Sequence, residues 1–200
     1  MDQPWKPTLP EWPPEGDEQV VSEHRIFSLV ETRRRSPRTG RSHRFLRLEA
    51  PDWVNVIALT RDGRVVLVEQ YRHGTDEVTL EIPGGAVDPG ETSASAAARE
   101  LEEETGYRPA RLEPIGCVEP NPAFLTNRCW TYLALGCEPI GRLNPDPSEE
   151  IEVHLVGLGG FTELIAGGTI RHALVVAAHE HLRLGLERGA SWSAGLDAAR

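Results

Sequence analysis

The sequence predicts an α+β fold, a mixed β-sheet packed with two or three helices. Three observations carry this. Short apolar runs of strand length recur through the first 135 residues, several bounded by Gly or Pro. Only the stretches 93–105, 161–166 and 169–189 read as helix. The two kinds of segment do not alternate, which argues against a doubly wound parallel sheet.

In chain order, residues 1–18 hold Pro4, Pro7, Pro10, Pro13 and Pro14, with Trp5 and Trp12 between them. Proline at that density excludes helix and predicts an extended leader arm. The two tryptophans are compatible with docking on the body, with docking on a second subunit, or with a solvated leader. A β-rich extension over 19–50 follows, with strands expected around Arg25–Glu31 and His43–Glu49, separated by an arginine-rich turn at Ser36-Pro37 and Gly40. Trp53–Thr60 and Arg64–Tyr71 are apolar strands joined through Arg61-Asp62-Gly63, and Asp-Gly between such runs signals a hairpin. Val78–Ile82 is a further strand, running into Pro83-Gly84-Gly85. Ser93–Thr105 is helical, with Thr92 or Ser93 as N-cap and Gly106 as its stop. Strands are expected at Leu112–Val118, Cys129–Leu135 and Ile151–Gly157. A short helix follows at Phe161–Ala166, then a longer one opened by Thr169 or Ile170 and closed by Gly189. The main domain is therefore assigned to 51–190, followed by a tail over 191–200.

The 200 residues carry a net charge of −10 and a pI near 5.2. That balance disfavours non-specific binding to nucleic acid or to an anionic membrane. Cys117, Cys129 and Cys137 are odd in number and form no CxxC or Cys/His pattern, which points to a reducing compartment. With no apolar run of spanning length and no basic-then-apolar start, the expectation is a cytoplasmic protein.

The chemistry concentrates between Gly85 and Tyr107. On a helix, Glu100, Glu103 and Glu104 stand at i, i+3 and i+4 and share one face. Their mutual repulsion adds to an unfavourable position near the helix C-terminus, each effect costing a few tenths to about 1 kcal/mol. A hard divalent cation bound by those oxygens reverses the sign; a solvated acidic face is the plainer reading of such a run taken alone. The Pro83-Gly84-Gly85 turn lets backbone approach a ligand and offers carbonyls to a metal. Glu91 precedes the helix, and Arg99, next to the cluster, suits forked hydrogen bonds to carboxylates.

From Gly85 to Tyr107 the 23 residues fit G-x5-E-x7-R-E-U-x-E-E-x-G-U, with U apolar or aromatic, at every fixed position. The chain is thereby identified as resembling the Nudix hydrolases. Val68-Glu-Gln-Tyr-Arg72, Leu80-Glu-Ile-Pro-Gly-Gly85, Pro122, Ser148–Val153 and Ile170–Ala178 are similar to the ADP-ribose pyrophosphatase branch. The resemblance spans roughly residues 20 to 185, although only the box is highly specific. It implies an α/β/α sandwich and hydrolysis of a diphosphate linked to another group, ADP-ribose or a related nucleotide sugar first. Mg2+, or Mn2+ in its place, is implied at Glu100, Glu103 and Glu104 with a carbonyl of Gly84 or Gly85. Arg99 and Glu91 would keep the cluster in register, and Glu149 or Glu150, in an acidic loop, would supply a base.

Substrate contacts implied by the same resemblance are Arg72 on a phosphate, Tyr71 and Phe124 on the base, and Asn127 and Arg128 in the loop behind the box. Glu81 is similar to an accessory metal or ligand contact, whereas strand alternation from Leu80 and Ile82 puts it at the surface. The branch usually carries an acidic pair shortly after its proline; here Asn121–Arg128 has no carboxylate, so the sugar and base stay open. Another diphosphate (GDP-mannose, coenzyme A, NADH) and a non-catalytic nucleotide-sugar-binding module are the alternatives. The branch commonly forms two-fold dimers, so a homodimer is expected, with Arg33, Arg34, Arg35, Arg38, Arg41, Arg44 and Arg47 as a phosphate rim, a solvated hairpin or a partner contact.

Overall fold

The computed structural model describes residues 6–141 and 150–193. They divide into two units, the described part of 1–50 together with 121–127, and that of 51–120 with 128–200.

The first unit is a three-stranded antiparallel sheet in the order β1 (Gln19–Glu23), β2 (Ser28–Arg35), β3 (Ser42–Glu49). The reading from sequence missed β1 and began β2 three residues early, because Arg25–Phe27 turn the chain: the His24 N–H donates to the Phe27 carbonyl at 2.9 Å. The leader is docked from Trp12 onward. Pro14 bridges Arg34, the Arg35 N–H donates to the Pro13 carbonyl at 3.0 Å, and the Trp12 ring lies edge-on to His43 and Phe45. Trp5 lies outside the described residues. Four of the seven arginines are paired locally, Arg47 with Glu18 and Glu49, Arg44 with Glu31, Arg35 with Glu15 and Arg34 with Glu18. Residues 121–127 join this unit by backbone, with the Leu48 N–H on the Phe124 carbonyl at 2.8 Å and the Thr126 N–H on the Leu48 carbonyl at 3.2 Å.

The second unit is built on β4 (Trp53–Thr60), β5 (Arg64–Arg72), β6 (Glu77–Glu81), β7 (Gly84–Ala86), β8 (Tyr107–Arg108), β9 (Arg111–Val118), β10 (Cys129–Pro139) and β11 (Ile151–Gly157). Its sheet runs β11-β5-β4-β10-β8, with β6 on β5, β7 on β4 and β9 on β10. The β4–β10 pair is parallel and its neighbours antiparallel, so the sheet is mixed. Gly63, at φ +78°, closes the β4–β5 hairpin.

Strand β4 is apolar on both sides and feeds two cores. Val54, Val56 and Ala58 meet Ala96, Ala97 and Leu101 of α1 (Ser93–Thr105). Ile57 and Leu59 meet Phe161 of α2 (Leu158–Ala166) and Val175, Ala178 and Leu182 of α3 (Ala173–Glu187). This is the α/β/α sandwich: α1 covers one face, α2 and α3 the other. Full burial of Phe161 alone contributes about 1.5–3 kcal/mol. The third helix opens at Ala173 and not at Thr169 or Ile170, because both of those N–H groups cap α2 by donating to the Leu164 carbonyl. At the far end Trp192 packs over Gly185, so the start of the presumed tail belongs to the core.

Candidate active site

The site grows from α1. Thr92 caps its N-terminus by accepting from the Ser95 N–H at 3.1 Å. Gly106, left-handed at φ 68°, ends it and donates to the Glu102 carbonyl. The alanine face seats the helix on β4, which turns Arg99, Glu100 and Glu103 toward the β7 turn.

Arg99 organises this face. Its Nε and Nη2 fork onto Glu91 at 3.2 and 3.0 Å, and Nη2 also donates to the Ala86 carbonyl at 3.0 Å. Nη1 donates to Glu100 at 2.8 Å and to Glu103 at 3.0 Å. The Arg99 hydrogen bond holds the Glu91 carboxyl below the usual carboxylate range. The pairing with Glu91, ahead of that with Glu100 and Glu103, raises the guanidinium further. Glu104, 3% exposed, accepts the Gly84 N–H at 2.9 Å and so ties the helix to β7.

The two glycines work differently. A Cβ on Gly84 would come within 2.3 Å of the Val54 carbonyl oxygen and 2.9 Å of the Asn55 Cα, both backbone. A Cβ on Gly85 would meet the Glu100 carboxyl at 2.4 Å, the end of a flexible side chain. Gly84→Ala is therefore expected to cost about 1–3 kcal/mol, and Gly85→Ala to displace the Glu100 carboxylate while the fold keeps its stability. Thermal unfolding of the two variants separates these outcomes.

Among the described residues no three His, Cys, Asp or Glu side chains stand close enough together to hold a metal ion as placed. The donor set nevertheless suits a hard divalent cation. Glu100, Glu103 and Glu104 offer carboxylate oxygens, and one oxygen each from Glu100 and Glu103 converges on the single cationic nitrogen Arg99 Nη1.

A second cluster, joining β5, β6 and the N-cap of α3, was not revealed by strand alternation. Glu81 is 3% exposed, not a surface residue. One oxygen accepts from Arg72 Nε at 2.9 Å and Thr79 Oγ1 at 2.7 Å. The other accepts from Arg72 Nη2 at 2.9 Å and pairs with His172 Nδ1 at 2.7 Å. Burial pushes the Glu81 carboxyl up, but the donors from His172, Arg72 and Thr79 outweigh it and hold the group well below the usual range.

Of the other residues singled out by sequence, Tyr71 is exposed and bonded to Asp76 through its hydroxyl. Arg128 is exposed, with its N–H on Asp52 at 2.9 Å. Phe124, exposed, and Asn127, buried, belong to the first unit. Glu150 is exposed just before β11, and Glu149 lies outside the described residues. Sequence reasoning overlooked Asp52, which accepts the Arg128 N–H and the Trp130 indole N–H and, through its carbonyl, the Val87 N–H. It fixes the box turn and the start of β10 together, and a lone Asp before a strand gave no signal. Burial pushes the Cys129 and Cys137 thiols up to about 12, which leaves them inert at neutral pH.

The α/β/α sandwich thus presents an arginine-knit glutamate face against a Gly-Gly turn. The NUDIX domain matches residues 51–173, and the chain belongs to the Nudix family. It is 31% identical to the ADP-ribose pyrophosphatase of Bacillus subtilis (strain 168) over 135 residues, 67% of this chain and 73% of that protein. It is also 40% identical to the methanol dehydrogenase activator of Bacillus methanolicus over 86 residues, 43% of this chain and 46% of that protein. A solved structure described as an ADP compounds hydrolase superposes with a TM-score of 0.80, covering 92% of this chain and 99% of the other at 22% identity, a likeness of fold. No helix among the described residues is long and apolar enough to cross a membrane. The chain is a hydrolase that cleaves a diphosphate linkage in a nucleotide-linked substrate.

Proposed function

We propose that the substrate is a nucleoside diphosphate sugar, ADP-ribose first, cleaved to a nucleoside monophosphate and a sugar phosphate with Mg2+. The observation that carries this reading is the convergence of Glu100 and Glu103 on Arg99 Nη1 beside the Gly84–Gly85 turn. The name of the Bacillus subtilis relative supports the choice of sugar.

Bound Mg2+ would neutralise the diphosphate and lower the pKa of the attacking water. Glu100, Glu103 and Glu104, with a carbonyl of Gly84 or Gly85, would hold it. The chain's own part is positional. Arg99 and Glu91 keep the glutamates in register, and Glu104 fixes the turn through the Gly84 N–H. Arg72 grips a substrate phosphate, Arg128 adds a second cation, and Tyr71 stacks on the base. Glu149 or Glu150 takes the proton from water. A panel of ADP-ribose, GDP-mannose, NADH and coenzyme A, assayed with Mg2+, is expected to rank ADP-ribose first. Turnover should vanish in excess EDTA and return with Mg2+ or Mn2+. A different first-ranked substrate overturns the choice of sugar, and turnover surviving EDTA overturns the metal.

A further inference from the structure

Glu81 is saturated. A carboxylate has about four lone-pair directions, and Arg72 (twice), Thr79 and His172 occupy them. A group so engaged has no direction left for a metal or a substrate hydroxyl. What it can do is fix the plane of the Arg72 guanidinium, since two parallel N–H···O bonds define that plane. Arg72 and Thr79 come from the hairpin β5–β6, whereas His172 is the N-cap residue of α3, far along the chain. Against an ionised acceptor the proton must sit on His172 Nδ1.

We propose that His172 is a positioning residue for substrate: it completes the shell of Glu81, which in turn aims Arg72 at a phosphate of the diphosphate. The inference rests on the reading of Arg72 as a phosphate grip. The physical reason is competition for one acceptor. With His172 present, one Glu81 oxygen is shared between the imidazole and Arg72 Nη2. Without it, that oxygen draws the guanidinium inward, and the positive charge offered to the phosphate falls. The effect belongs to binding held equally in ground and transition states, so it appears in KM and not in kcat.

The test uses the full chain with ADP-ribose and Mg2+. Asn carries its amide nitrogen near the place of Nδ1, whereas the Gln nitrogen falls near Nε2. His172→Gln is expected to raise KM about tenfold with kcat within about twofold, and His172→Asn to restore KM to within about threefold of the wild type. Both keep a polar side chain, and thermal midpoints are recorded for each. Arg72→Ala should raise KM at least as much, and His172→Gln added to Arg72→Ala should raise it no further. Equal KM values for the Asn and Gln variants, or additive effects in the double variant, overturn the relay. If Arg72→Ala raises KM while His172→Gln does not, the relay fails and the phosphate grip stands. An unchanged KM in Arg72→Ala overturns both.

Discussion

Glu104→Gln is expected to lower kcat for ADP-ribose by a factor on the order of 10² or more, with an unfolding midpoint close to that of the wild type. The two halves of this expectation come from different parts of one side chain. Glu104 is buried and holds the Gly84 N–H, and the Gln carbonyl accepts that hydrogen bond equally well, so the tie between α1 and β7 survives. What disappears is a negative charge on the face that also carries Glu100 and Glu103. Steady-state kinetics with Mg2+, alongside a thermal melt, checks both halves. Full activity in Glu104→Gln would remove this residue from the site, and a collapsed midpoint would make it structural first.

Glu81→Ala is expected to lower stability by about 1–3 kcal/mol. It strips Arg72, Thr79 and His172 of their shared acceptor, while the Arg72 and His172 side chains, each 42% exposed, stay within reach of water. For a chain of this length that is roughly 2–12 °C in Tm. The pH dependence follows from the direction of the shift. Burial alone would raise the Glu81 carboxyl, but its donors depress it below the unfolded value of about 4.3. Its stabilising contribution is then complete above about pH 4.3 and drains away as acid protonates the folded protein. Urea melts of wild type and Glu81→Gln between pH 3 and pH 7 should show a gap that narrows toward the acid end. A gap independent of pH would mean that the carboxylate charge is not what stabilises the cluster.

The same residue marks the limit of what the sequence made legible. The caps of α1 at Thr92 and Gly106, the Gly63 hairpin and the spacing of Glu100, Glu103 and Glu104 were readable because each depends on neighbours within a few positions. Glu81 was not. Its burial depends on His172, at the opposite end of the domain in sequence, and alternation along β6 describes only the strand itself. The β7 strand escaped for a similar reason: Gly84–Ala86 has no strand propensity and is extended only because Trp53–Asn55 pairs with it. Ile170 has the apolar character of a helix residue, but its N–H closes the helix before it, and only the fold decides between those roles.

The return of residues 121–127 to the first unit bears on what counts as a movable part. The family match begins at residue 51, which invites excision of the leader and extension as a detachable appendage. Yet the segment 121–127, well inside the match, takes its backbone partners from Leu48, and Leu125 bridges the same residue. A chain trimmed at residue 51 would carry an orphaned loop in its middle, with two Leu48 backbone partners to replace by water. Inheritance, grafting or fusion of this hydrolase therefore has to treat the chain from the docked Trp12 onward as one transferable piece.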